Sequence, residues 1–166
     1  RTTCGLRTAG PGISTGYCAV FNVAKVRAGA SVAVWGLGGI GMAVLMGAKQ
    51  AGARTIVGID TNPDKFALAR QFGATECINP RELGGSDERP LQQILCERYA
   101  GGFDYTFECV GNVKTMKVAL ESTHVGWGVN CVIGVASENQ VFEVDPLFLL
   151  MGITIKGSCL GGIQQQ

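Results

Sequence analysis

Charged residues are scarce in this sequence, and the two signs nearly cancel. Of 166 residues, 14 are Lys or Arg and 13 are Asp or Glu, which gives a net charge of +1. Because the basic residues form no cluster, the composition excludes a surface built to hold a nucleic-acid backbone. No apolar run approaches the roughly 18 residues of a membrane-spanning helix. We therefore expect no nucleic-acid partner and no membrane partner.

Histidine is almost absent, and the cysteines form no close pairs. The single histidine, His124, cannot supply a two-histidine metal site. The seven cysteines are odd in number and include no Cys-x-x-Cys pair. This pattern argues against a zinc ribbon, a redox dithiol and a disulfide framework. We interpret the cysteines as free thiols of a cytoplasmic protein.

The sequence is rich in apolar residues and in glycine. The hydrophobic fraction of 46% is enough for a packed core, and the 25 glycines, about twice the ordinary usage, predict many tight turns. From residue 31 onward, short apolar runs alternate with segments of helical periodicity. The apolar runs predict strands at 31–35, 55–59, 77–78, 103–108, 129–135 and 153–159. The other segments predict helices at 15–25, 39–51, 63–72, 91–100 and 113–122, and a polar surface loop at 84–90.

The repeated strand–helix–strand order predicts the fold class. We expect an α/β protein with a Rossmann doubly wound, six-stranded parallel sheet and helices on both faces. The strands are almost continuously apolar, as burial on both faces requires, and we expect Ile133 and Val135 to be core strand residues. The domain is predicted at 31–162. Residues 1–30 form a lead-in that ends in a connecting helix, and 163–166 form a tail.

One glycine motif connects this fold to a ligand. Residues 36–41 match Gly-x-Gly-x-x-Gly and lie between the first predicted strand and its helix. In such a motif the first glycine makes a tight turn, the second lets a pyrophosphate approach the backbone, and the third lets helix and strand pack closely. An ordinary glycine-rich turn is the alternative. Because the order of elements also fits, the motif favours dinucleotide binding by Gly36, Leu37, Gly38, Gly39, Ile40 and Gly41.

An acidic residue follows the second predicted strand. Asp60 comes 19 residues after Gly41, near the spacing of about 20 expected for a residue that accepts hydrogen bonds from the adenosine ribose. Its carboxylate would repel a 2′-phosphate, and residues 61–63 include no arginine to attract one. The pattern therefore favours NAD over NADP. A simple charge at a helix N-terminus is the alternative interpretation of Asp60.

The sequence resembles a known family over residues 10–162. It is similar to the coenzyme-binding half of zinc-dependent medium-chain alcohol dehydrogenases, most of all the class III type, glutathione-dependent formaldehyde dehydrogenase. The matching segments are GISTGY (12–17), VWGLGGIGMAVLMGAK (34–49), GIDTNPDKFALARQFGATECINP (58–80), GGFDYTFECVGNVKTM (101–116), HVGWGV (124–129), VIGVAS (132–137) and TIKGSCLGG (154–162).

This resemblance implies a larger cofactor site. Asp60 and Lys65 should bind the adenosine ribose, Val110 should line the path from adenosine to nicotinamide, and Thr15 should pack behind the nicotinamide ring. Lys65 as a solvated helix charge and Thr15 as a helix cap are the alternatives. Six further residues should meet the nicotinamide carboxamide and ribose: Ile133, Gly134, Val135, Ser158, Cys159 and Leu160.

The resemblance also implies a catalytic zinc, for which this chain lacks the expected ligand. The family binds zinc through two ligands of a separate catalytic domain and a cysteine in a Gly-Cys-Gly sequence. Here that sequence is Gly10-Pro11-Gly12, and proline has no side-chain donor. We therefore expect zinc in the full family enzyme, but no metal ligand and no catalytic residue in this chain. Three interpretations stay open: a fragment of an enzyme altered at residue 11, a non-enzymatic NAD-binding protein, and a zinc-free reductase.

The activity implied by the resemblance is oxidation of a primary alcohol or of S-(hydroxymethyl)glutathione, with hydride transfer to NAD. We expect this chain alone to be inactive, because the catalytic domain lies outside it. The family pairs subunits through the edge strand, so a homodimer through residues near 147–158 is expected. We interpret His124 as a surface residue, and Cys109 as a small apolar residue rather than a reactive thiol.

Overall fold

The computed structural model describes residues 11–83 and 89–162. Several predicted features lie outside the described residues. They are the first ten residues of the lead-in, the side chain of Pro11, most of the loop at 84–90 and the tail at 163–166.

Six strands form one sheet in which every pair of neighbours is parallel. The strands are β1 (Ser31–Trp35), β2 (Thr55–Ile59), β3 (Glu76–Ile78), β4 (Tyr105–Glu108), β5 (Val129–Val132) and β6 (Thr154–Gly157). Their order is β3-β2-β1-β4-β5-β6, and Val34 of β1 lies opposite both Gly58 and Phe107. The direction of winding reverses between β1 and β4, as in doubly wound folds with two mononucleotide-binding halves. The predicted fold class is confirmed.

The described residues include seven α-helices. They are α1 (Pro11–Cys18), α2 (Gly39–Gln50), α3 (Phe66–Phe72), α4 (Pro80–Leu83), α5 (Leu91–Arg98), α6 (Val113–Glu121) and α7 (Pro146–Leu150). A π-helix, Ala19–Ala24, continues α1, and short 3₁₀ turns at Pro63–Lys65 and Leu160–Gly162 precede α3 and follow β6. Asn62 caps the first of these turns through its side chain, and Gly73, at φ +121°, ends α3, as the sequence predicts.

The sheet separates two apolar clusters because successive residues of a strand point to opposite faces. On one face, Val32 and Val34 pack with α2 and the π-helix, in a cluster that also holds Leu45 and Phe107. On the other face, Trp35 and its neighbours pack among residues of α5 and α6. No described helix combines the length and apolar character that crossing a membrane requires.

The structure differs from the prediction in the bounds of several elements and in the place of one residue. The predicted helix at 15–25 begins four residues earlier, at Pro11, and ends as a π-helix. The strands β4, β5 and β6 are shorter than predicted, and α4 and α7 were not predicted. Val135 lies outside β5 and is 90% exposed, so its prediction as a core strand residue is wrong; Ile133 is buried but also follows the strand.

The end of β5 has a local cause. The N–H groups of Ile133 and Gly134 both donate to the main-chain oxygen of Glu108, each at 2.9 Å. Two consecutive residues cannot share one acceptor and continue a regular parallel ladder, so pairing with β4 ends here.

Within residues 11–83 and 89–162, the cysteines match the prediction with one exception. Five of those in the described part of the chain are free thiols: Cys77, Cys96, Cys109, Cys131 and Cys159. Cys18 is disulfide-bonded, so the prediction of free thiols is wrong at this position.

Candidate functional site

The turn after β1 begins the candidate site. Gly36 has φ +88°, a left-handed conformation that glycine adopts without strain, and its N–H donates to the Ile59 oxygen of β2 at 2.8 Å. A Cβ at this position would lie 2.8 Å from Cγ2 of Val110. The turn is therefore held on one side by β2 and crowded on the other by the residues that follow β4.

Gly41 and Gly38 differ in what surrounds them. A Cβ on Gly41 would lie 1.9 Å from the Gly36 oxygen, so α2 packs directly on the turn. A Cβ on Gly38 would meet no atom of the described residues within 4 Å, its chain neighbours aside. Gly38 is the N-cap of α2, where N–H groups lack partners within the helix and the helix dipole is positive. The open space beside Gly38 is therefore suited to an anionic group.

Asp60 follows β2 and reaches back to the glycine turn. Its Oδ2 accepts hydrogen bonds from the Leu37 N–H and from Lys65 Nζ, both at 2.8 Å, and its Oδ1 accepts one from the Asn62 N–H at 2.9 Å. Burial by itself would raise the pKa of Asp60, but the hydrogen bonds from Lys65, Asn62 and Leu37 outweigh it and lower the pKa. A charged carboxylate therefore lies beside the turn, and Oδ1 can accept a further hydrogen bond.

A cleft of about 530 Å³ opens beside Asp60 and the glycine turn. Its wall is mainly apolar and includes a few polar groups, a combination typical of sites for small molecules and cofactors. The lining residues are Trp35, Gly36, Gly38, Ile59, Asp60, Thr61, Lys65, Pro80, Leu91, Cys109, Val110, Lys114, Thr115 and Val118.

Five of the predicted site residues line this cleft: Gly36, Gly38, Asp60, Lys65 and Val110. Leu37 takes part only through its N–H, because its side chain is buried and would contact a Cβ placed on Gly58. Three further polar residues of the cleft were not predicted from the sequence: Thr61, Lys114 and Thr115. Lys114 and Thr115 could have been predicted from the helix expected to begin at 113. The first turn of a helix that follows a strand lies at the carboxyl edge of the sheet, where the cleft opens.

None of the remaining predicted residues lines the cleft; Gly39, Ile40 and Gly41 form the first turn of α2, and Thr15 lies within α1. Ile133, Gly134 and Val135 follow β5, and Ser158, Cys159 and Leu160 follow β6. The 3₁₀ turn after β6 packs on α1, because a Cβ on Gly161 would lie 2.7 Å from the Ser14 oxygen and 3.1 Å from that of Thr15. Helix α1 also packs on α2, where a Cβ on Gly16 would lie 2.3 Å from the Ile40 oxygen. Thr15, the turn after β6 and the glycine motif are thus joined by direct packing.

Glu108 is a buried acid that was not among the predicted site residues. It ends β4 with no exposed surface. Its Oε1 accepts hydrogen bonds from three successive N–H groups, of Val110 at 3.1 Å, Gly111 at 2.9 Å and Asn112 at 3.4 Å. Burial raises the pKa of Glu108, although these three hydrogen bonds act against the rise. The sign available in the sequence was an acid directly after Phe107, at the end of a strand predicted to be buried.

The described residues provide no metal centre. Residues 11–83 and 89–162 contain no group of three or more His, Cys, Asp or Glu side chains that could hold a metal ion. The one zinc ligand that the resemblance implies for this chain would be a cysteine at residue 11, where the sequence has a proline without a side-chain donor. The chain therefore does not supply that ligand, and no chemical step is assigned to zinc.

Comparison with known proteins identifies relatives by sequence. The family model described as zinc-binding dehydrogenase matches residues 39–166. Alcohol dehydrogenase class-3 of Caenorhabditis elegans is 56% identical over 153 residues, which cover 92% of this chain and 40% of that protein. S-(hydroxymethyl)glutathione dehydrogenase of Photobacterium damsela subsp. piscicida is 52% identical over 155 residues, 93% of this chain and 41% of that protein. The chain thus spans about two fifths of the length of these relatives.

Solved structures agree with the sequence comparison. An alcohol dehydrogenase zinc-binding domain protein from Burkholderia ambifaria superposes with a TM-score of 0.80 at 36% identity, over 90% of this chain and 39% of that one. Benzyl alcohol dehydrogenase from Acinetobacter calcoaceticus superposes with a TM-score of 0.79 at 30% identity, over 90% of this chain and 40% of that one. The family model covers most of the chain, and the fold and the glycine turn agree with it. The chain therefore belongs to the zinc-binding dehydrogenase family.

Proposed function

We propose that this chain binds NAD(H) at the carboxyl ends of its strands. The observation that supports this most directly is the contact of Asp60 with the glycine turn, in which the carboxylate accepts the Leu37 N–H at 2.8 Å. The open space at Gly38 adjoins this contact, at the N-terminus of α2. Pyrophosphate at the helix N-terminus and a ribose hydroxyl on Asp60 would satisfy both features.

The charge of Asp60 supports NAD over NADP. Hydrogen bonds from Lys65 and two main-chain N–H groups lower its pKa, so the carboxylate is ionised at neutral pH. An ionised carboxylate accepts hydrogen bonds from hydroxyls but repels a 2′-phosphate. Lys65 is engaged with Asp60 at 2.8 Å and is therefore less free to attract that phosphate.

The nicotinamide half of the cofactor is assigned to the predicted residues after β5 and β6 and to Thr15. The Ser158 hydroxyl supports this assignment, since it is buried and has no hydrogen-bond partner among the described residues. It is thus a buried polar group to which a carboxamide or a ribose could supply the missing hydrogen bond. We assign residues 31–162 to the NAD-binding domain and residues 1–30 to a lead-in from a catalytic domain.

For the whole protein we propose NAD-dependent oxidation of a primary alcohol or of S-(hydroxymethyl)glutathione in the cytoplasm. The names of the relatives support these two substrate classes. Bound NAD would supply the hydride acceptor, and the residues of this chain bind and orient it. We also propose a homodimer, because β6 is an edge strand and the adjacent α7 exposes Leu147, Leu149 and Leu150.

An alternative function is NAD binding without zinc catalysis. The observation in its favour is Pro11, which has no donor atom where the resemblance implies a cysteine ligand. Zinc content of the whole protein separates the two functions. Stoichiometric zinc whose removal abolishes alcohol oxidation would reject the alternative, and zinc-free protein that still binds NADH would favour it.

Titration of the 166-residue chain with NADH and NADPH tests the cofactor assignment. The wild-type chain should bind NADH at least tenfold more tightly than NADPH. Asp60→Asn keeps the size of the side chain but removes its charge, so this preference should fall by a factor of about ten, as expected for loss of a hydrogen bond to a charged group.

Asp64→Asn is the matched control, because Asp64 lies in the same exposed turn and its N–H is the group that Asn62 caps. This variant should keep the wild-type preference. Failure of the folded wild-type chain to bind NADH would reject the proposed function. Equal preferences in Asp60→Asn and wild type would reject the role of Asp60.

A further inference from the structure

The loops after β4 and after β5 pack backbone to backbone. A Cβ on Gly111 would lie 2.3 Å from the Val135 oxygen, and a Cβ on Gly134 would lie 2.1 Å from the Gly111 nitrogen. Real Cβ atoms do not approach other atoms this closely, so both positions require glycine. The two loops therefore lie closer together than a side chain at either position would allow.

Glu108 contacts both loops at this junction. Its Oε1 accepts the three successive N–H groups of residues 110–112, and its main-chain oxygen accepts the N–H groups of Ile133 and Gly134. The side chain also fills the space beside the second loop, since a Cβ on Gly134 would lie 2.6 Å from Oε2. One residue thus links the end of β4 to both loops.

In the part of the chain that the structure describes, the Glu108 carboxyl group forms no ion pair. It has no exposed surface, and within the described residues Oε2 has no hydrogen-bond partner. An apolar side chain at this position would remove the acceptor that the three N–H groups of residues 110–112 share, and with it the hydrogen bonds that tie this loop to the end of β4. A neutral acceptor of the same shape, as in glutamine, would satisfy them equally well.

We propose that Glu108 is a positioning residue for the bound dinucleotide, which holds loop 110–112 at a fixed distance from loop 133–135. Val110 and residues 133–135 are predicted to contact two different parts of the cofactor. With the loops held at this distance, both can contact the same extended cofactor molecule at once. This inference rests on the proposed NAD(H) binding and assigns Glu108 no contact with the cofactor. The effect should be large for NADH, which reaches both loops, and small for AMP, which occupies only the adenosine half.

The test combines binding and amide hydrogen exchange on the folded 166-residue chain. Glu108→Ala should lower the affinity for NADH at least tenfold and the affinity for AMP less than about threefold, because the deletion frees the two loops from each other. Glu108→Gln should restore NADH affinity to within about twofold of wild type. In hydrogen exchange, the amides of residues 110–112 should be protected in the free wild-type chain and lose protection in Glu108→Ala.

Two further variants separate positioning from general loss of stability. Thr106→Val removes a buried hydroxyl from the same strand, where it bonds Thr123 and Asn130 away from the loops. It should destabilise the fold but leave the ratio of NADH to AMP affinity unchanged. Gly134→Ala forces the loops apart while keeping Glu108, so it should reproduce the loss of NADH affinity.

Each outcome decides the inference. A wild-type chain that binds no NADH rejects the proposed function and this inference with it. If wild type binds NADH but Glu108→Ala binds equally well, or loses NADH and AMP affinity in parallel, only the inference is rejected. Should Glu108→Ala fail to fold, unchanged NADH affinity in Gly134→Ala rejects the inference, and so does an unprotected 110–112 loop in the wild-type chain.

Discussion

Two glycines of one turn should respond in opposite ways to the same substitution. The motif predicts that Gly38 is needed for the ligand and Gly41 for packing, and the structure gives a separate magnitude for each. A methyl group on Gly38 meets no described atom within 4 Å, whereas one on Gly41 lies 1.9 Å from the Gly36 oxygen. Gly38→Ala should therefore affect binding alone, and Gly41→Ala should affect folding.

The stability of Gly38→Ala follows from two opposing effects. Gly38 has φ −85°, which alanine tolerates, so the loss of unfolded-state entropy stabilises the variant by about 0.4–1 kcal/mol. Alanine is a poorer N-cap than glycine, which costs a similar amount. The free energy of unfolding should stay within about 1 kcal/mol of wild type. In Gly41→Ala, overpacking against a backbone oxygen should cost at least about 3 kcal/mol.

The assay pairs urea unfolding with NADH titration. Gly38→Ala should unfold near the wild-type midpoint but bind NADH at least tenfold more weakly, because its methyl group occupies the space that the pyrophosphate requires; tenfold corresponds to about 1.4 kcal/mol. Full NADH affinity in a folded Gly38→Ala chain would refute the assignment of this space to the cofactor. Equal destabilisation by the two substitutions would refute the packing argument.

Three further outcomes are expected. Burial raises the pKa of Glu108 above its ordinary 4.5, so the folded chain binds this proton more tightly than the unfolded chain does. The stability that results is present below pH 4.5 and is lost as the pH rises. The melting temperature of Glu108→Gln, which has no such proton, should therefore increase relative to that of wild type between about pH 4 and pH 8. Asn112→Ala removes the side-chain cap of α6, which accepts two N–H groups, and should lower the free energy of unfolding by about 1 kcal/mol in urea titrations; an unchanged midpoint would contradict this. In alkylation at pH 7 followed by peptide mass spectrometry, exposed Cys159 should react well before Cys131, which is fully buried and whose pKa burial raises to about 12; the reverse order would contradict the burial described here.

Much of the fold follows from local patterns in the sequence. The predicted bounds of the first two strands agree with the structure, because each is a short, mostly apolar run that ends sharply, the first at Gly36 and the second at Asp60. The later strands were predicted too long. Their apolar runs extend beyond the residues that pair in the sheet. In β5, pairing stops only because the N–H groups of Ile133 and Gly134 donate to the same carbonyl oxygen.

The candidate site divides in the same way. The Gly-x-Gly-x-x-Gly spacing and the position of Asp60 are local, so the sequence predicts them, and in the structure both lie at one cleft. Thr61, Lys114 and Thr115 join that cleft from separate segments, which only the folded chain places side by side. Val135 was misplaced because its apolar character is equally compatible with a strand and with an exposed loop.

The sequence by itself determined the alternation of strands and helices, the glycine turn and the acid after the second strand, since each depends on residues within about 20 positions of one another. Tertiary structure alone decided how the turn after β1 meets Asp60, and which loops Glu108 joins. A hydrogen bond such as that from Leu37 to Asp60, or the packing of Gly111 on Val135, depends on the distance between atoms 23 or 24 residues apart along the chain. Such distances are fixed by the packing of the whole sheet, and a local sequence pattern contains no information about that packing.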